Sequence, residues 1–135
     1  MKVNTKIRYG LRMLIAIAQE GKLVNTSELG RVMRVSPKYL RKLAGPLEKA
    51  GLIQSVQGIY GGYRLARPAE EITIRSLMDA FGEKVSLTDC LMGKKCELHE
   101  TCLARQAWEM LETTLDRYFL PISLADILKN KVKPA

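Results

Sequence analysis

Cys90, Cys96 and Cys102 are the only cysteines in the 135-residue chain, and five residues separate each from the next. An odd number of thiols cannot be consumed by disulfides within one chain. The gaps are also not the two-residue knuckle of common zinc sites. Soft thiolates converging on one point suit an iron–sulfur cluster or a thiophilic metal, with a fourth ligand from elsewhere. Zinc stays open, because three cysteines and a histidine form a closed zinc site. A cluster-free thiol redox switch is a third use of the same residues.

The elements that must position these thiols belong to a chain of single-domain length. Its apolar content of 47% is enough for a core. The longest apolar run, Met13 to Ala18, is far short of the ~20 residues of a membrane span. Lys2, Lys6, Arg8 and Arg12 interrupt any secretory leader. The expectation is a cytoplasmic protein with no membrane partner, in a reducing compartment where clustered cysteines bind metals or do redox chemistry. Charge divides the chain sharply. Residues 1–69 hold 13 basic against 3 acidic side chains, a net +10, whereas residues 70–135 hold 9 against 11, a net −2. Such a split points to a polyanion-binding N-terminal half and a C-terminal half with another task.

Periodicity predicts a helix over Thr5–Glu20, from Ile7, Leu11, Leu14, Ile15 and Ala18, with Gly21 as its stop. Asn25 with Glu28 reads as a capping box opening a second helix that ends near Arg34. Ser36 and Pro37 start a third, with Leu40, Leu43 and Leu47 buried and Gly51 at its end. Gly45-Pro46 inside it predicts a kink and a weak last turn. A strand over 52–56, a glycine-rich turn over 57–62 and a return strand over 63–66 follow. Thr73 caps a short helix to Phe81, residues 85–101 read as an irregular loop, and a long helix runs from Cys102 to Phe119 before Pro121. The positive end of that helix would favour a thiolate at Cys102. Ser123 and Asp126 cap a last helix over Leu124–Leu128, and the tail 129–135 is expected to fray. The fold class is therefore mainly α with a small β-hairpin.

Two short helices joined by a tight turn, then a hairpin, make a winged helix-turn-helix. Arg41 can donate two bonds to a guanine edge, and Lys38 and Lys42 can meet base or phosphate. Tyr39 can pack its ring under the helix and offer its hydroxyl to phosphate. Ser36 caps this helix. Thr5, Lys6 and Arg8 on the first helix are candidate phosphate contacts, as are Tyr60, Gly61, Gly62 and Arg64 on the wing, where a minor-groove role is open.

Tyr39-Leu40 with Leu43, the run Leu47-Glu48-Lys49-Ala50-Gly51-Leu52-Ile53, and Gly61-Gly62-Tyr63-Arg64-Leu65-Ala66-Arg67 occur in order ahead of the cysteine triplet and a long helix. In this the chain resembles the IscR/NsrR-type winged-helix transcription regulators, the Rrf-two family, from its first helix to about Leu128. The resemblance implies a homodimer whose long C-terminal helices cross, binding a palindromic operator in double-stranded DNA. It also implies a 2Fe–2S or 4Fe–4S cluster on the three cysteines that senses iron, nitric oxide or redox state. It divides the chain into a DNA-binding domain (1–69), a connecting helix (70–84), a cluster loop (85–101) and a dimerisation segment (102–128). Leu103, Ala107, Trp108, Leu111, Leu115 and Tyr118 would form the dimer interface. Trp108 reads as dimer core rather than as a ligand site.

The chain departs from its relatives at the fourth ligand. One branch carries a histidine three residues past the last cysteine, where this chain has Arg105. Another uses an aspartate near the partner's N-terminus, and residues 1–19 here hold no acid. The single histidine, His99, lies inside the cysteine loop and is the leading candidate, with Glu97, Glu100, Asp89, a water or a small thiol as competitors. Many relatives also carry glutamate at the position of Arg41, so their base preference does not transfer. An enzyme is not expected, since no Ser–His or Cys–His pair with an orienting acid and no phosphate-binding loop is present.

Overall fold

The computed structural model describes residues 2–132. Helix α1 (Thr5–Glu20) starts at Asn4, whose side chain accepts the Lys6 amide, and stops at Gly21 in the left-handed conformation. Helix α2 (Thr26–Met33) and helix α3 (Pro37–Lys49) follow with the caps their sequences call for. Asn25 accepts the Glu28 amide, and Ser36 accepts the Tyr39 amide. The capping box expected at α2 is only half made. The Glu28 carboxylate turns away to Arg31, bonding it at 2.6 and 3.1 Å, and this pairing holds the Glu28 carboxyl below its ordinary pKa.

Helix α3 runs through Pro46 to Lys49, so the weak last turn expected there does not occur. Its end is locked instead. Gly51 takes a φ of 75°, the Leu52 amide donates to the Leu47 carbonyl and the Gly51 amide to the Glu48 carbonyl. That pair of bonds is a Schellman stop, and it offsets the one bond lost at proline.

The wing is an antiparallel pair, β1 (Ile53–Val56) and β2 (Gly62–Leu65), with Ile53 opposite Leu65 and Val56 opposite Gly62. Val24 joins it as a third partner, exchanging two 2.8 Å backbone bonds with Tyr63. Gly62 makes this approach possible. Its φ is 152°, and a Cβ there would run into the Val24 carbonyl and the Asn25 backbone.

The core lies under α3. Met13, Leu14 and Ile17 of α1, Leu29 and Met33 of α2, and Leu40, Leu43 and Leu47 of α3 pack with Leu52, Ile53 and Ile72. Leu77 from α4 (Ile74–Ala80) and Leu124 from α6 (Leu124–Leu128) complete it. The last helix thus returns to the N-terminal core. A bridge between Thr73 and Ser123 holds it there, with the Leu124 amide donating to the Ile72 carbonyl at 2.7 Å. The tail does not fray at once. Asn130 adopts φ 53° and the Lys131 amide bonds the Asp126 carbonyl at 2.8 Å. The remainder of that tail, 133–135, lies outside the described residues.

Between these anchor points stands α5 (Ala104–Thr114), continued by a wider π turn over Leu115–Phe119. The long helix therefore starts two residues after Cys102 rather than at it. The π turn adds a residue before Pro121 and swings Leu120 into the core, where it is buried.

Gly62→Ala should lower stability by about 1–3 kcal/mol through backbone strain alone, with added loss from breaking the Val24–Tyr63 pair. Urea unfolding checks this, and an unchanged midpoint would show that the wing adjusts freely.

Candidate nucleic-acid interface and cysteine loop

The N-terminal turn of α3 stands in solvent. Lys38, Arg41 and Lys42 are exposed, and none of the ion pairs among the described residues involves them, Lys6 or Arg8. The cations are left free for an external anion. Tyr39 is half-buried, with its ring edge-on to Tyr9 at 5.7 Å and 87°, and the Arg12 guanidinium lies 5.4 Å over Tyr9. This stack fixes the first turns of α1, with Thr5, Lys6 and Arg8 exposed, beside the start of α3. It also gives Tyr39 a positioning role.

On the wing, Tyr60 is open to solvent, whereas Gly62 is buried and acts through backbone geometry. Arg64 is exposed, but its Nε donates to Gln54 Oε1 across the hairpin at 2.9 Å, which holds its guanidinium on the outer face. A cleft runs between α2, α3 and the wing, lined by Asn25, Thr26, Ser27, Arg41, Ser55, Gly58 and Tyr63 among others. Burial pushes the Tyr63 phenol up, with Glu48 adding to the rise, so the hydroxyl keeps its proton. Thr26 and Ser27 were not singled out from sequence. They follow the α2 cap directly and share this cleft with Arg41. Ser36, Lys38, Tyr39, Arg41 and Lys42 lie at the start of α3 and Thr5, Lys6 and Arg8 at the start of α1, the two helices being joined by the Tyr9–Tyr39 pair. Tyr60 stands further out, on the wing.

The cysteine loop is built differently. Cys90 and Cys102 are half-buried, Cys96 is exposed, and all three are free thiols. Among the described residues no three His, Cys, Asp or Glu side chains are grouped as a metal site. The chemistry of three unpaired thiols fits a thiophilic group; their present spacing does not yet gather them. The loop is held mainly by its own turns. Asp89 accepts the Met92 and Lys94 amides, the Cys96 carbonyl accepts the His99 amide at 3.1 Å, and the Thr88 hydroxyl lies 3.1 Å from the Cys90 thiol. Lys94 pairs with Asp89 at 3.4 Å.

His99 is engaged rather than free. Arg105 Nη1 lies 2.9 Å from its Nε2. A guanidinium only donates, so Nε2 accepts and the ring proton sits on Nδ1. Arg105 Nε also stands 2.8 Å from Glu109 as an ion pair, at an angle that makes no hydrogen bond.

Two contacts tie this region to the rest of the fold. The Leu87 amide donates to Glu112 Oε1 at 2.9 Å, fastening the start of the loop to α5. Arg75 of α4 pairs with Asp116 of the π turn. Helix α5 itself buries no side chain within the single chain. Leu103 is 82% exposed, and Ala107, Trp108 and Tyr118 are also exposed, with Leu111 and Leu115 half-buried.

A family model described as Rrf2, iron-dependent transcriptional regulator, matches residues 3–130. The chain is 35% identical to the protein rrf2 of Nitratidesulfovibrio vulgaris, over 96% of this chain and 89% of that protein. It is 34% identical to the HTH-type transcriptional regulator IscR of Cereibacter sphaeroides, over 99% and 91%. Among solved structures, CymR, the global cysteine regulator of B. subtilis, superposes with a TM-score of 0.81 at 25% identity, covering 96% of this chain and 98% of that one. These relatives are transcriptional regulators and not enzymes.

Glu112→Ala should free the Leu87 amide and raise its hydrogen-exchange rate roughly tenfold, the loss of a bond worth about 1.5 kcal/mol to a charged acceptor. Unchanged exchange at Leu87 would show that the loop is anchored by other means.

Proposed function

Because the chain belongs to the Rrf2 family of transcriptional regulators, we propose that it works as a homodimer on a palindromic operator, with an iron–sulfur cluster on Cys90, Cys96 and Cys102 setting its DNA affinity. The signal would be iron–sulfur status, nitric oxide or redox state. One observation carries this reading. The cysteine loop is fastened through Leu87 to α5, and α5 continues into the π turn that pairs with α4 beneath the DNA-reading half. Reordering the loop therefore pulls on both the exposed helix and the winged-helix body.

The bare apolar face of α5 supports a second copy as its cover. Leu103, Trp108 and Tyr118 stay in water within one chain, and burying large apolar side chains is worth about 1.5–3 kcal/mol each. A two-fold dimer presents two recognition helices and so matches a palindrome. When bound, a cluster supplies a charged, oxidisable centre whose presence depends on iron, sulfide and oxidants. The protein's part is to deliver thiolates. The loop's local turns must open for three cysteines to converge, so binding orders the loop, and that order shifts the balance between dimer geometries with different operator affinity. Lys94 and Lys95 stand ready to offset the charge. His99 can serve as fourth ligand only if Arg105 releases Nε2.

A second reading, thiol-based sensing without a cluster, is favoured by three free thiols of which Cys96 is exposed and the other two half-buried. Anaerobic reconstitution with iron and sulfide separates the two. The first reading expects visible charge-transfer absorption that disappears with any of Cys90→Ser, Cys96→Ser or Cys102→Ser and weakens with His99→Ala. Colourless protein carrying full zinc would defeat it. Oxidant-dependent operator release from iron-free protein would establish the second.

On DNA, Arg41→Ala should cost ~1–3 kcal/mol and relax preference at one base position, whereas Lys6→Ala should weaken all sequences alike and flatten the salt dependence. A uniform loss from Arg41→Ala, measured by binding to single-base operator variants, would remove Arg41 from base reading.

A further inference from the structure

We propose that the wing tip is an apolar wedge: Ile59 and Tyr60 enter the minor groove of the bound duplex and unstack a base step, so part of the operator's specificity is read from its deformability. This rests on the DNA-binding reading. Ile59 is 94% and Tyr60 91% exposed, the two most exposed large apolar side chains in the described chain. They occupy the central positions of a turn closed by the Gly61 amide on the Gly58 carbonyl at 3.0 Å, so both project outward. The hairpin beneath them is rigid, because Gly62 sits against the Val24 backbone.

The charge of the hairpin excludes the ordinary alternative. No lysine or arginine occurs from Ile53 to Tyr63, and Arg64 lies on β2 below the turn, with its Nε on Gln54, so the tip itself carries no cation to place in a narrow groove. Yet the tip belongs to the basic half of the chain and shares a cleft with Arg41, which puts it alongside the recognition helix. An uncharged tip at that place gains little from phosphate. Isoleucine between base steps and a tyrosine ring on an exposed base face are the contacts open to it. Unstacking is cheapest at flexible pyrimidine–purine steps, which sets the expected preference.

The test uses the full-length protein and duplexes it enriches from a random pool, with 2-aminopurine placed at successive steps and dyes at both ends. Wild type should raise fluorescence at one step per half-site and bend the duplex by roughly 20–90°. Ile59→Ser with Tyr60→Ser, in an exposed turn that keeps its glycines, should bind more weakly through the remaining contacts and lose the fluorescence rise, the bend and the step preference. Equal fluorescence and bending in both proteins would overturn the wedge and leave DNA binding intact. So would a variant whose only change is in self-association by sedimentation, which would make the tip a contact between copies. Wild type that enriches no duplex would overturn the DNA-binding reading itself.

Discussion

The short bridge between Thr73 and Ser123 is the joint on which the second half of the molecule depends. At this joint the Ile74 amide donates to the Ile122 carbonyl, the Arg75 amide to the Leu120 carbonyl, and the Leu124 amide to the Ile72 carbonyl. Thr73 and Ser123 are also the caps of the helices that leave it, each in a reciprocal capping box. Hydrogen bonds from Ser123 hold the Asp126 carboxyl below its ordinary pKa, which keeps the second box charged. Ile72, Ile74, Leu120 and Leu124 are all buried around it. Closing so long a loop costs only a few kcal/mol, and burial of four aliphatic side chains at about 1.5–3 kcal/mol each offsets it. The cysteine loop and α5 can thus extend from the core without unfolding it.

That arrangement explains why the region beyond the joint is lightly built. From Cys90 to Thr101 the loop bonds mostly to itself, and no side chain of α5 is fully buried. Stability is concentrated in the winged-helix core, and the excursion beyond the joint sits at the low-stability end, where switching elements are drawn from. Glu112 and Asp116 lie one turn apart on the same helix and reach in different directions, one to the loop and one to α4. A shift of that helix must alter both contacts together.

What was legible in the sequence follows the range of the interactions. The caps at Asn25, Ser36, Thr73 and Ser123 and the stops at Gly21 and Gly51 are local, and the chain folds them where its residues indicate. The wing was legible because its glycines are required by close backbone approach. Partner choice was not legible. Glu28 had two suitors within one turn and took the guanidinium over its own backbone. Pro46 read as a weak point, because the Schellman bonds that compensate for it are made by residues five and six positions further on. The Thr73–Ser123 bridge and the return of α6 to the core join segments fifty residues apart, and no periodicity encodes them. In the candidate site the cations of α3 were readable as exposed, whereas the Gln54 tether on Arg64 and the Tyr9–Tyr39 stack required the tertiary fold.

Arg105 brings these threads to one atom. It is held between His99 and Glu109 on the first turn of α5, and a guanidinium can neither ligate a metal nor give up its charge. While it donates to Nε2, the histidine keeps its remaining proton on Nδ1 and has no lone pair to offer a metal. Coordination by His99 therefore requires a trade, in which the metal takes the lone pair and Arg105 is returned to Glu109 or to solvent. Because Arg105 belongs to α5 and His99 to the loop, that trade breaks one of the few contacts between them. In the proposed cluster, fourth-ligand identity and loop–helix coupling would thus be the same physical question. Were the proposed cluster bound, a weakly held fourth position would follow from the sequence itself.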